Sequence, residues 1–131
     1  MTQQEAIFKA FIHPGKKDRF LTLLSKSDRS KLTSQFAHGV KLDFRFAEQI
    51  PPKLQNVNDI EKMLKSKGAT SNCFVISENS QLDEKEMPLR EALIATIGQG
   101  MGTFISCIPG KLAYFEAEEA NERYILSRAS A

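Results

Sequence analysis

The chain has no tryptophan, two cysteines, two histidines and seven glycines in 131 residues. Each shortage excludes something. Cys73, Cys107, His13 and His38 stand apart, at none of the ligand spacings a zinc site needs, so no metal site is expected. The two cysteines lie inside the apolar runs "NCFVIS" and "TFISCI". Such cysteines behave as small buried hydrophobes, and the expectation is a reduced, cytoplasmic protein without a disulfide framework. No stretch approaches the roughly 18 apolar residues of a membrane-spanning helix. The start, "MTQQEAIFKAF", lacks the basic and apolar regions of a secretory signal. Repeats, low-complexity tracts and Gly/Ser linkers are missing too.

What is present fits a globular chain: 41% apolar and 26% charged residues. We expect one domain over 1–131, with a basic helical half (1–50) and a helix-strand half (57–128). The seam is "EQIPPKLQN", where Pro51 and Pro52 exclude a helix. Charge is uneven. Residues 1–67 hold 13 Lys+Arg against 7 Asp+Glu, and residues 68–131 hold 5 against 9. The halves thus carry +6 and −4 within a net +2. This asymmetry fits either a polyanion site or attraction between the halves.

The first half reads as helices. Thr2 and Glu5 have capping-box spacing before a stripe of Phe8, Phe11 and Ile12. Pro14-Gly15 stops that helix. A second helix buries Phe20, Leu21, Leu23 and Leu24. A third, capped by Ser27 or Asp28, buries Leu32 and Phe36 and ends at Gly39. "VKLDFRF" (Val40 to Phe46) alternates as a half-buried strand does. The second half alternates. Asn58 and Glu61 give a cap spacing for a helix ending at Gly68. "NCFVIS" reads as a strand covered on both faces. Pro88 opens a helix with Leu89, Ala92, Leu93, Thr96 and Ile97 inside. "TFISCI" and "KLAYFEA" form a hairpin across Pro109-Gly110 with a bulge or longer loop. "ERYILSR" is the last strand. The predicted fold is α/β or α+β: N-terminal helices leading into a mixed sheet, with β-α-β-β-β order in the second half. The first crossover is expected parallel and right-handed.

The segment "GQGMGTFISCIPGKLAYFEAE" resembles a phosphate loop with a nucleophile behind it. A dinucleotide loop follows a strand and opens a helix. Here Gly98, Gly100 and Gly102 follow a helix and precede a strand, so the helix end facing them carries carbonyls. We therefore expect a helix stop and a bend. Cys107 lacks an evident histidine base, since His13 and His38 read as helix-end residues. Glu78, Asp83, Glu84 and Glu86 do not fit an EF-hand.

Two candidate sites remain. Glu78, Asn79, Gly100 and Gly102 lie where a small-molecule pocket would form at the carboxyl end of strand 72–77. Lys16, Lys17, Arg19, Arg29 and Lys31 cluster at two helix starts, where phosphate or another anion binds. With no catalytic constellation and no cofactor motif, the leading expectation is a non-enzymatic protein that binds another protein or a second copy of itself. The edge of strand 40–46 and the segment "AEQIPPKL" are the expected contact. Nucleic-acid binding through the basic helices is the alternative, and a ligand-binding or enzymatic pocket is the third. No membrane partner is expected.

Overall fold

The computed structural model describes residues 2–38 and 41–128. Helix α1 (Gln3–Phe11) opens with the expected capping box: the Glu5 amide donates to Thr2 Oγ1 at 3.1 Å, and the Glu5 carboxylate accepts from the Thr2 backbone. α2 (Lys17–Ser25) and α3 (Arg29–Ser34) follow. Asp28 caps α3 by accepting from the Lys31 amide. A 3-10 turn, Gln35–Ala37, continues α3 and buries Phe36. Gly39, expected to end this helical stretch, lies outside the described residues, as does Val40.

The predicted strand at Val40–Phe46 needs correction over its described part. Leu42 makes an isolated bridge to Ile12. Asp43, placed outward by the alternation, is only 3% exposed. Its carboxylate accepts from the Arg45 amide and guanidinium, which winds Phe44–Phe46 into a 3-10 turn. The strand itself starts one residue later, as β1 (Ala47–Gln49). After a 3-10 turn at Pro52–Leu54 comes α4 (Val57–Ser66). Its cap is Asn56 with Asp59, two residues before the expected pair of Asn58 and Glu61.

The remaining elements are β2 (Asn72–Ser77), β3 (Glu86–Pro88), α5 (Leu89–Thr96), β4 (Thr103–Ile108), β5 (Leu112–Glu116) and β6 (Arg123–Ser127). The six strands form one sheet in the order β1-β6-β5-β4-β2-β3. The class is α+β as expected, but the sheet is antiparallel at every pairing rather than mixed. The cause is β3, which lay hidden in a polar loop. It returns the chain to the amino end of β2, where the Leu89 amide donates to Ser71 O at 2.7 Å. α5 then runs back along β2, so β4 enters beside its carboxyl end and pairs antiparallel instead of crossing over.

Both faces of the sheet are covered. α1–α3 pack on Ile76, Phe104, Ala113, Phe115 and Leu126. α4 and α5 pack on Val75, Ile105, Tyr114 and Ile125. The first face is aromatic. Phe8 meets Phe20 edge-on at 5.3 Å between centroids, and Phe36 meets Phe104 edge-on at 5.0 Å. Such pairs contribute about 0.5–1.5 kcal/mol each beyond area burial. These rings fasten the N-terminal helices to the sheet. The expected bulge falls between Ser106 and Ile108, just before the turn at Pro109-Gly110.

Candidate functional site

The glycine segment leaves the carboxyl end of α5, as its chain direction requires, and its amides do meet anions. Those anions belong to the protein itself. Gly98 (φ 82) donates to Glu116 Oε2 at 3.0 Å, and the Gly100 amide (φ 71) is directed at the same carboxylate. Gly102 donates to Glu78 Oε1 at 2.7 Å. Left-handed backbone at Gly98 and Gly100 turns these N–H groups inward, a conformation that a Cβ disfavours. Gly102 has a different reason to lack a side chain. A Cβ there would stand 2.3 Å from the Phe36 carbonyl oxygen.

The sequence reading assigns Glu116 no function. It sits inside a strand buried on both faces and is 1% exposed. The Tyr114 hydroxyl donates to its Oε1 at 2.8 Å, and Arg123 Nε lies 3.3 Å from that oxygen. Burial pushes its carboxyl pKa up, while Tyr114, Arg123 and the glycine amides pull it back. Its one legible signal is an acid flanked by "LAYF", which demands internal donors.

Among the expected ligand residues, Glu78 and Gly102 meet each other, and Gly100 is directed at Glu116 instead. Asn79 is a turn residue: its Oδ1 accepts from the Gln81 amide, and its own amide donates to Ser77 Oγ. The crevice lined by Ser77, Asn79, Thr96, Gln99, Met101 and Thr103 leaves no room for a water molecule. Its floor is closed by the Ser77 and Thr103 hydroxyls, 2.7 Å apart. Beside it, burial and neighbouring Glu118 raise the Glu78 pKa, opposed by the Gly102 amide and His38. His38 pairs with Glu119.

The basic residues separate into two sets. Arg29 is committed internally. It makes a two-pronged contact with Asp83, at 3.0 and 2.6 Å, and also reaches Gln4 and Glu84. Lys31 is 4.0 Å from Asp28. Lys16, Lys17 and Arg19 have no ion pair among the described residues. They surround the start of α2, where Lys16 provides no side-chain cap. No side chain caps the Lys17, Asp18 and Arg19 amides of its first turn.

The structure adds Lys41 to this set. Its amine donates to Gln35 Oε1 at 2.9 Å. Burial, then the charges of Arg19 and Lys16, hold its pKa below the ordinary lysine value. Lys16, Arg19 and Lys41 crowd one another, and none of the three is in an ion pair among the described residues. Sequence reasoning set Lys41 on the outer face of a strand, and the turn at Asp43 moved it here.

Aromatic side chains also reach the surface nearby, contrary to their burial in sequence-derived helices and strand. Phe44 is 51% exposed and packs edge-on against Tyr124 at 5.8 Å. The Phe46 ring lies 4.0 Å from the Arg128 guanidinium carbon and 5.2 Å from that of Arg45. Lys17 acts electrostatically on Asp43, which links the aromatic patch to the basic corner.

One edge of the sheet is β1, with Ala47, Glu48 and Gln49, and "AEQIPPKL" does run along it; the other edge is the short β3. Ile50, however, is buried. The Ile50 amide donates to Arg123 O, so Glu48 bonds inward to β6 and Ala47 and Gln49 face out. The Ala47 amide turns back to Phe44 O. The edge therefore offers one outward amide in its strand, at Gln49, and Pro51 follows shortly. No protein family, curated protein or solved structure matches the chain.

Proposed function

We propose that this chain acts by binding another macromolecule rather than by catalysis, and that its contact face is the corner where α2 begins. The observation that carries this reading is the crowding of Lys16, Arg19 and Lys41, none of them in an ion pair among the described residues, beside a helix start with no side-chain cap. Helix N–H groups and nearby cations favour carboxylate or phosphate there. The partner is a protein presenting a short acidic segment. Two features favour that over a long polyanion. The patch is compact, and the acidic loop with Glu118, Glu119 and Glu122 repels extended negative charge. Self-association through β1 has weaker support. Two copies paired about Glu48 would set like charges opposite each other.

One observation favours nucleic acid as a second reading. Phe44 is exposed and Phe46 is flanked by Arg45 and Arg128, an arrangement suited to stacking bases. A direct comparison separates the two. A fluorescent poly-glutamate peptide and a single-stranded oligonucleotide of equal charge are titrated with the full chain at several salt concentrations. The acidic peptide should bind more tightly, and a joint Lys16→Ala, Lys17→Ala, Arg19→Ala variant should bind it about tenfold or more weakly at low salt. Lys31→Ala should change little. Tighter oligonucleotide binding that Phe44→Ala abolishes would transfer the case to nucleic acid. Salt-insensitive or undetectable binding of both would end the proposal.

A further inference from the structure

Cys73 and Cys107 lie 34 positions apart in the sequence, yet the sheet makes them neighbours. β2 pairs with β4 through Phe74↔Ser106, Val75↔Ile105, Ile76↔Phe104 and Ser77↔Thr103. One step further along that register sets Cys73 opposite Cys107. Their adjacency appears electrostatically as well, since Cys73 acts on the Cys107 thiol. Both side chains belong to the face covered by α4 and α5, and both thiols are free.

The hydrogen-bond phase of the pair matters. The Glu78 amide donates to Gly102 O at 2.9 Å, which makes that position hydrogen-bonded. Alternation then makes 77/103, 75/105 and 73/107 the non-hydrogen-bonded positions, where opposed side chains approach most closely. Ser77 and Thr103 confirm the phase, with hydroxyls 2.7 Å apart. At the bulge between Ser106 and Ile108, Cys107 and Ile108 both face the same core. Opposed cysteines at such a position fall within the Cα separation that a disulfide spans.

We infer that Cys73 and Cys107 form a redox site, a facing dithiol that closes reversibly to a cross-strand disulfide when a low-molecular-weight disulfide oxidises it. The reaction is two successive exchanges. The Cys73 thiolate attacks one sulfur of the small disulfide, forming a mixed disulfide and expelling one small thiolate. The Cys107 thiolate then attacks Cys73 Sγ, closing the protein disulfide and expelling the second. The two protein protons pass to the two leaving thiolates. Two protein thiols are oxidised, and one small disulfide is reduced to two thiols.

Cys73 is placed to react first. It lies on the strand next to the sheet edge, opposite Met87 of β3, and its thiol donates to Met87 O at 3.4 Å. β3 is three residues long and ends at Pro88, so its opening is the short route to Cys73. Cys107 is one strand deeper, between β2 and β5. Burial pushes both thiol pKa values up to about 12, so closed protein holds little thiolate and the exchange is gated by that opening. This site is independent of the basic corner.

The test uses the full folded chain and hydroxyethyl disulfide, followed by intact mass and peptide mapping. Wild type should lose two hydrogens without gaining an adduct, remain monomeric on a non-reducing gel, and yield a peptide joining Cys73 to Cys107. Reductant should restore both thiols. Cys107→Ser should instead accumulate the mixed disulfide at Cys73, and Cys73→Ser should stay unmodified. If a variant fails to fold, the wild-type cross-link remains decisive. A stable wild-type adduct would overturn the inference. So would two reduced thiols under conditions that oxidise the chain completely in urea.

Discussion

Glu116 accepts the Gly98 amide at 3.0 Å, across 18 positions of sequence. This bond fastens the end of α5 to the centre of the sheet. It also explains why a segment resembling a phosphate cradle is occupied already. Glu116→Ala would leave the Tyr114 hydroxyl, Arg123 and the glycine amides facing an apolar gap. Loss of one partner from a buried charged cluster costs about 3 kcal/mol. Urea unfolding should show a loss of that order, with Glu116→Gln intermediate. Equal stability of Glu116→Ala and wild type would show that the cluster contributes nothing.

Two glycines of the segment should respond differently to alanine. Gly98 has φ 82 with nothing within 4 Å of an added Cβ, so Gly98→Ala carries only the left-handed backbone cost, about 1 kcal/mol. Gly102→Ala collides with the Phe36 backbone, which cannot rotate aside. It should lose more than about 2 kcal/mol and shift the Phe36 ring. Thermal melts of the two variants check the order. The reverse order would contradict the docking of the 35–37 turn on Gly102.

The Glu78 carboxyl has a raised pKa, chiefly from burial and then from Glu118. The folded chain thus holds this proton more tightly than the unfolded chain. The stability it contributes is fully present below the unfolded value of 4.5 and is lost as pH rises through the folded value. Glu116, raised by burial too, adds in the same direction, while Asp43, lowered chiefly by its hydrogen bond from Arg45, opposes it. Comparing wild type with Glu78→Gln isolates one group. Between about pH 4 and pH 7, the variant should gain stability relative to wild type, because Gln keeps an acceptor for Gly102 without the charge. Parallel stability curves would remove Glu78 from the explanation.

The two sets of cations should separate under substitution. Arg29→Ala breaks contacts with Asp83, Gln4 and Glu84, so it should destabilise the fold by about 1–2 kcal/mol. Lys16→Ala and Arg19→Ala should leave unfolding midpoints nearly unchanged and weaken binding instead. Measured together, unfolding and peptide affinity distinguish structural from contact charges.

Local signals were legible in the sequence where neighbours in the chain create the structure. Thr2 and Glu5 make their cap within four residues, and Leu89, Ala92, Leu93 and Thr96 show their shared face by spacing alone. The alternation at 40–46 misled because Asp43 has a local competitor for its strand geometry: it caps its own turn. Sheet direction was lost with β3, three residues too short and polar to register. Glu116 with Gly98, and Cys73 with Cys107, are partners that only the fold brings together. Lys41 joins the basic corner for the same reason, through pairing of the His13 amide with Lys41 O.

The most direct measurement is amide chemical-shift mapping of the full chain during titration with a poly-glutamate peptide. The Lys17, Asp18 and Arg19 amides and the Lys41 side chain should move first, together and saturably, and 0.5 M salt (about 4 Å of screening length) should suppress the change. Shifts confined to Glu48 and Gln49 at the β1 edge, or no shifts, would contradict a binding face at the start of α2.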